Sequence, residues 1–362
     1  MRCLVEAVLS MGTSHQFLLI VPPNQADVVD LPLIRAETAV SSAKYYSIRE
    51  QIELPRILRR YQVDLLHSPH FLLPLSGPCP AVVTIHDVIY LACKEDLPSR
   101  LGRLYYHAMM AAAVRIAKRV ITDSEFSKRD IVRYLGADPS KIEVIYPGIS
   151  RDFQPINDSE MLRHVRARYD IRRGYVLYAG IYKPRKNHAG LLAAFQRFLA
   201  FGADADLVLA GPLQEGKHQI LKLARDLGVA DRVKLTGVIN DTDLRALYSG
   251  AGVYACPSLY EGFGFTVLEA MACGAAVACS SETSLPEVAG NAVYYANARD
   301  PEDFGQALFR VFTDSSLRAM LLTKSAENLK RFCWERAATQ TLGVYERAQK
   351  LTLRAGLRAR YS

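Results

Sequence analysis

Glu261 and Glu269 are separated by seven residues, and Gly262 and Gly264 lie between them just ahead of an apolar-periodic segment. Glycine lets a backbone turn sharply and approach a ligand closely. A helix that starts after Gly264 presents the free N–H groups of Phe265, Thr266 and Val267 from its first turn. With the helix dipole behind them, those amides make an anion site. Glu269 sits about one turn into that helix, where its carboxylate can accept hydrogen bonds from ribose hydroxyls. Glu261, ahead of the turn, falls nearer to phosphates or a sugar. The competing reading is a capped core helix with two surface glutamates, and the glycines between them argue against it.

A second cluster is GIYKPRKN at residues 180–187, directly after the apolar run at 175–179. Lys183, Arg185 and Lys186 crowd a neighbourhood that is otherwise apolar. Two or three cations suit a pyrophosphate, and they stabilise charge that builds on a leaving diphosphate. A merely exposed basic loop is the alternative. His86 ends the β-branched run at 81–85, and a neutral imidazole there can donate to or accept from a hydroxyl. Taken alone, it is only a polar residue at a strand end. Asp241–Thr242–Asp243 has the Asp-x-Asp spacing of a cation site, but it precedes the periodic segment 244–248, so Asp241 or Thr242 reads as a helix N-cap. Asp204 and Asp206 have the same spacing but lie in a loop before a strand, and are likewise not read as a metal site. No metal ligand set is expected.

These groups must be held by strands and helices in alternation. Strands are predicted at Phe17–Val21, 63–67, 81–85, Arg119–Thr122 and 142–146, with a helix over 101–118. After a polar stretch at 150–173, read as a linker, the alternation restarts. Strands are expected at 175–179, 206–210, 232–236, 252–256, 276–279 and 292–295, and helices at 191–200, 219–227, 243–250 and 266–273. Such alternation means βαβ units and parallel sheets. In these folds ligands gather at the carboxyl ends of strands, which is where both clusters and His86 fall.

The chain's 362 residues exceed one ordinary core, so two domains are expected. Half the residues are apolar, yet no apolar run is long enough to span a bilayer. The start lacks the order of a secretory signal, and the seven scattered cysteines read as reduced thiols. A cytoplasmic protein is expected. The net charge of +8 suits an anionic partner without naming one. Arg347, Lys350, Arg354, Arg358 and Arg360 make the tail basic. That tail is either a solvated helix face or a contact with anionic lipid at the inner membrane face. No nucleic-acid partner is expected.

The two motifs together resemble the family-4 retaining glycosyltransferases of the GT-B fold, among them bacterial mannosyltransferases. Supporting matches are LVLAGP at 207–212, VKLTG at 233–237 and YACPSLYEGFG at 254–264. In the first half TIHD at 84–87, DSEFSKRDI at 123–131 and IYPGI at 145–149 also match. The resemblance implies an α/β chain of two Rossmann-like, doubly wound parallel-sheet domains facing across a cleft. Residues 1–155 would form an acceptor domain joined by a C-terminal helix at 335–362, and 170–334 the donor domain. It implies Arg185 and Lys186 on the donor diphosphate and Glu269 on the ribose. Glu261 and the amides of Gly264, Phe265 and Thr266 would lie along the sugar and phosphates, with Gly180 and Gly211 lining the donor site and His86 at the sugar.

The implied activity is hexose transfer from a nucleotide sugar to a glycan or lipid-linked acceptor in polysaccharide synthesis. Configuration is retained, and neither metal nor cofactor is needed. Family members open on a strand and a glycine-rich loop. Here Leu4, Val5, Val8 and Leu9 recur at helical spacing, and Gly12 is the only glycine before position 77. Ile181 stands where many relatives carry arginine, as in a subset that resembles mannosyltransferases, which favours GDP-mannose over UDP-sugars. Three further readings stay open: a nucleotide-sugar binder impaired in catalysis, a UDP-sugar-dependent glucosyl- or galactosyltransferase, and a sugar-nucleotide epimerase. A nicotinamide enzyme is disfavoured, because no G-x-G-x-x-G follows an early strand.

Overall fold

A computed structural model of the chain describes residues 2–25, 36–44 and 47–360, with backbone alone from 352 onward. The chain divides into two compact units. The first comprises Met1–Ala92, Leu97–Gly148 and Phe332–Ser362, and the second Cys93–Asp96 and Ile149–Arg331.

The first unit contains α1 (Arg2–Ser10), β1 (Phe17–Val21), β2 (Ala36–Val40), α2 (Ile48–Arg60), β3 (Leu66–Ser68), β4 (Ala81–Thr84), α3 (Ile89–Ala92), α4 (Arg100–Ile116), β5 (Arg119–Thr122), α5 (Glu125–Leu135) and β6 (Ile142–Val144). The second contains α6 (Ser159–Arg168), β7 (Gly174–Ala179), α7 (His188–Ala200), β8 (Ala205–Ala210), α8 (Lys217–Asp226), β9 (Val233–Gly237), α9 (Asp241–Gly250), β10 (Val253–Cys256), α10 (Phe265–Ala272), β11 (Val277–Ser280), α11 (Leu285–Ala289), β12 (Tyr294–Ala296), α12 (Pro301–Thr313) and α13 (Ser315–Leu329). The chain then returns to the first unit as α14 (Trp334–Arg360).

The second unit is a doubly wound parallel sheet in the order β12-β11-β10-β7-β8-β9. Its central strands are apolar almost without interruption and buried throughout, as strands covered on both faces must be. Phe195 and Phe198 of α7 pack with Phe304 and Leu308 of α12 over one face. The winding reverses between β7 and β10, which lie side by side with Val176 opposite Val253. That reversal opens a crevice at their carboxyl ends.

In the first unit β3-β4-β5-β6 form a parallel sheet. Val82 and Val83 show the period of two. Val83 packs with Met110 of α4 and Ile131 of α5, and Val82 with Ala337, Val344 and Ala348 of α14. Gly148 leaves room for Trp334, whose backbone nitrogen would lie 2.5 Å from any Cβ there. β1 and β2 form a separate two-stranded sheet among the described residues. All five side chains of β1 are apolar, yet each is only half-buried. A cavity of about 1590 Å³ lies beside them, lined by Leu4 and Val8 of α1, Phe17 and Ile20 of β1, Leu58 of α2 and Leu66 of β3. The helical spacing at the start is α1, whose Ala7 and Val8 pack on Ala338 and Leu342 of α14.

Several local readings change. The stretch 150–173 carries α6 rather than running only as a linker, capped by Asp158. Asn240, not Asp241 or Thr242, caps α9. Asp243 accepts from Arg168 at 2.6 Å and Tyr169 at 2.8 Å, so it anchors α6 to α9. Asp206 lies inside β8. It accepts the backbone N–H groups of Arg172 at 2.9 Å and Arg173 at 3.3 Å while fully buried. Arg347 of the basic tail pairs with Glu143 at 3.1 Å. The side chains of Arg354, Arg358 and Arg360 lie outside the described residues. All seven cysteines are free thiols. Among the described residues no helix is long and apolar enough to cross a membrane.

Asp206→Ala leaves the backbone N–H groups of Arg172 and Arg173 without their acceptor and the Arg173 guanidinium with Asp204 alone, a loss of about 2 kcal/mol. Thermal melting followed by circular dichroism is expected to drop by several degrees; an unchanged midpoint would contradict the role given to this carboxylate.

Candidate functional site

The crevice of the second unit is built from two loops. One leaves β7 and forms a 3-10 turn at Pro184–Lys186, ended by Asn187 in the left-handed region. Asn187 then caps α7: its Oδ1 accepts from Gly190 N at 3.1 Å. Its Nδ2 donates to Ala298 O at 2.7 Å and Pro257 O at 3.3 Å, tying this loop to the one after β10. Leu259 N donates to Arg185 O at 2.7 Å and reinforces the tie. Asn187 is therefore a structural member of the P-R-K-N element.

The middle of that element carries the charge. Lys186 Nζ donates to Glu261 Oε1 at 2.5 Å. Arg185 NH1 donates to Glu261 Oε2 at 3.4 Å and to Tyr260 O at 3.2 Å. Arg185 Nε donates to Asp96 Oδ2 at 2.5 Å, from the Cys93–Asp96 segment that belongs to this unit. All four side chains are nearly buried. Lys183 goes elsewhere, to Glu215 at 3.4 Å near the surface. Two of the three cations in the motif thus converge.

The loop after β10 is held from the other side. Thr283 Oγ1 accepts from Glu261 N at 3.0 Å. Ser284 Oγ donates to the carbonyls of Glu261 at 2.9 Å and Phe263 at 3.0 Å. Gly264 opens α10 at φ +109°, a conformation side chains rarely adopt. Val267 N is spent on Gly264 O at 3.1 Å, so the sequence expectation of three free amides reduces to those of Phe265 and Thr266. Gly211, after β8, has φ +125° and lies so close to Gly180 that an added Cβ would come within 2.3 Å of Gly180 O. Glu269 is partly buried on α10 and accepts from Tyr248 Oη at 3.1 Å. Burial raises its carboxyl above the ordinary range, against the opposing pull of Tyr248.

His86 belongs to the first unit, past the carboxyl end of β4. Its Nδ1 lies 2.7 Å from Asp123 Oδ2 and its Nε2 3.2 Å from Pro69 O. Asp123 is buried after β5, and Ser124 beside it caps α5. Burial by itself pushes the imidazole pKa down. The hydrogen bond and charge of Asp123, helped by Asp87, more than reverse this and hold it above 6.5. Asp123 was visible in the DSEFSKRDI motif but carried no chemical signal there, because its partner lies 37 residues away. Asp96, Tyr248 and Ser284 were likewise silent in the sequence. Among the described residues no cluster of acidic, histidine and cysteine side chains could hold a metal ion.

Residues 12–153 match the family described as Glycosyltransferase Family 4, and residues 166–328 the family described as Glycosyl transferases group 1. The chain is 33% identical over 292 residues to the O-antigen chain mannosyltransferase B of Escherichia coli, covering 80% of this chain and 76% of that protein. It is 31% identical over 279 residues to a serotype-specific mannosyltransferase WbdA of the same species, where it spans 34% of the longer protein. The sucrose-phosphate synthase of Thermosynechococcus elongatus shares the fold, with a TM-score of 0.75 at 22% identity over 95% of this chain and 91% of that one.

Asp123→Asn removes the charge that supports the imidazolium, so the His86 titration midpoint, read by NMR of its ring protons, is expected to move down. Because the wild-type pKa is raised, the pair's contribution to stability is complete below about 6.5. It fades as pH rises through the folded-state value. His86 is half exposed, so the change in stability is small and the NMR midpoint is the decisive reading.

Proposed function

The chain belongs to the family-4 glycosyltransferases, and from that premise we propose that it transfers mannose with retention of configuration from a nucleoside-diphosphate sugar, GDP-mannose in preference to UDP-sugars, to a glycan or lipid-linked acceptor in polysaccharide synthesis. The observation that carries the reading is the convergence of Arg185, Lys186 and Glu261 at the crevice between β7 and β10. A diphosphate is already a good leaving group. The protein's work is to stabilise its charge and hold the acceptor in place.

In this reading Arg185 and Lys186 take the diphosphate oxygens, each donating from an almost dry site where charge-assisted bonds are strong. The amides of Phe265 and Thr266, at the positive end of α10, supply further donors. Glu261 orients both cations and accepts from a hydroxyl of the sugar. Glu269 keeps one oxygen for the ribose while Tyr248 holds the other. Gly180 and Gly211 keep the ends of β7 and β8 close, so that backbone rather than side chain meets the ligand. His86, poised by Asp123 in the first unit, can donate to or accept from a hydroxyl. No step uses a metal ion. The mannosyl preference and the O-antigen-like setting are supported by the named Escherichia coli relatives and by Ile181 in place of arginine.

A second reading, nucleotide-sugar binding without turnover, is favoured by the half-buried β1 and the cavity beside it. Melting the chain with GDP, UDP, ADP and their sugar conjugates separates these readings. A ligand at about 100 times its dissociation constant adds roughly 2.7 kcal/mol. A selective GDP or GDP-mannose shift, with mannosyl transfer, is expected; a shift without transfer supports the second reading, and a UDP-selective shift refutes the mannosyl donor. Lys186→Gln, which keeps a donor for Glu261, is expected to weaken diphosphate binding by about tenfold or more. Equal affinity in isothermal titration would remove Lys186 from the site. Transfer is expected to persist in excess EDTA; loss that a divalent ion restores would overturn the metal-free step.

A further inference from the structure

The buried ion cluster of the second unit holds more negative charge than anion binding calls for. Arg185 and Lys186 bring two positive charges, and Glu261 and Asp96 bring two negative ones. A diphosphate entering this cluster as it stands would meet no net positive charge.

The two carboxylates differ in how well they are satisfied. Glu261 uses both oxygens, Oε1 on Lys186 and Oε2 on Arg185. Asp96 uses only Oδ2, at 2.5 Å from Arg185 Nε, while its Oδ1 is buried with no hydrogen-bond partner. Only 2% of the Asp96 side chain is exposed, so bulk solvent does not reach the orphan oxygen. A buried carboxylate with an unsatisfied oxygen keeps much of its desolvation penalty, so it is the weaker held of the two. Arg185 does not depend on it for orientation, because Tyr260 O and Glu261 already fix NH1. Asp96 is also carried on a four-residue segment that packs against the Pro184–Lys186 turn. A well-paired structural bridge would not leave the orphan oxygen.

We propose that Asp96 is a resident counter-ion of the donor site: its carboxylate occupies Arg185 Nε until a nucleoside diphosphate arrives, and a phosphate oxygen then takes its place. The proposal rests on the reading of Arg185 and Lys186 as the diphosphate site. Asp96 acts through Arg185, not by orienting it but by competing with the donor for its Nε, and so sets donor affinity. The exchange replaces one charge-assisted hydrogen bond by another, with no covalent change. It leaves the site without a ligand electrically neutral and discourages stray anions.

The test is isothermal titration of the full chain with GDP and UDP, and with guanosine and uridine, for the wild type and Asp96→Asn. The variant keeps the side chain's shape and removes its charge. Whichever diphosphate the wild type prefers is expected to bind the variant about tenfold more tightly, while the matching nucleoside binds both equally. A merely structural Asp96 predicts the opposite, since damage to the site does not raise affinity selectively for phosphate. Diphosphate affinity that is unchanged or weaker in the variant overturns the proposal and leaves the donor-site reading intact. Failure of wild type and variant alike to bind any diphosphate, in chains that melt cooperatively, overturns both. Asp96→Ser, smaller and also uncharged, carries the same expectation if the Asn variant does not fold.

Discussion

A carboxylate buried at the end of a parallel sheet is tolerable only if cations reach it from another part of the chain. Here that carboxylate is Glu261, and its cations are Arg185 and Lys186. Most features of the second unit follow from bringing them together. β7 and β10 must be neighbours although three strand-and-helix steps separate them, and the reversal of winding makes them so. Their loops must be locked to each other, which Asn187 does through its amide group. The loop of Glu261 must be held from behind, which Thr283 and Ser284 do. Gly211 and Gly264 remove side chains where backbone has to come close. Once this is assembled, the dry surroundings strengthen every charge-assisted bond in it.

The two units solve the same burial problem to different degrees. The six strands of the second unit are flanked by helices, and its inner strands are buried except for Gly174 at the start of β7. In the first unit β3 to β6 are covered by α4 and α5 on one face and α14 on the other. β1 has the composition of a central strand but only half the burial, and the cavity of about 1590 Å³ beside it explains why. The functional groups sit on the better-packed parts. His86 and Asp123 leave the carboxyl ends of the adjacent central strands β4 and β5, which fixes their 2.7 Å contact.

The sequence by itself determined the class of fold and the address of the candidate site. Apolar runs of strand length alternate with helical spacing, and physics allows few other architectures for that pattern. The strands at Phe17–Val21 and Arg119–Thr122 match the structure residue for residue, because β-branched and apolar side chains end there abruptly. The glycine pattern around Glu261 and the cations at 183–186 marked the crevice, because close backbone approach and concentrated charge are local properties. β2, α2 and α5 escaped notice. β2, AETAV, mixes exposed and buried positions, and α2 carries an internal proline, Pro55.

What only the tertiary structure decided is who pairs with whom. Lys183 and Lys186 look equivalent in the sequence, yet one meets Glu215 at the surface and the other Glu261 in the crevice. Asp96 and Asp123 are ordinary acids until folding brings them to Arg185 and His86, 89 and 37 residues away. Asp241 and Asp243 read alike as acids at a helix start, yet only the second is claimed by Arg168 and Tyr169 at the end of α6. Charge and hydrogen bonding act over a few ångströms, and which groups come within that range is a property of the packed chain. A single strand of letters carries the groups and their local spacing, but not the partner that folding places beside each one.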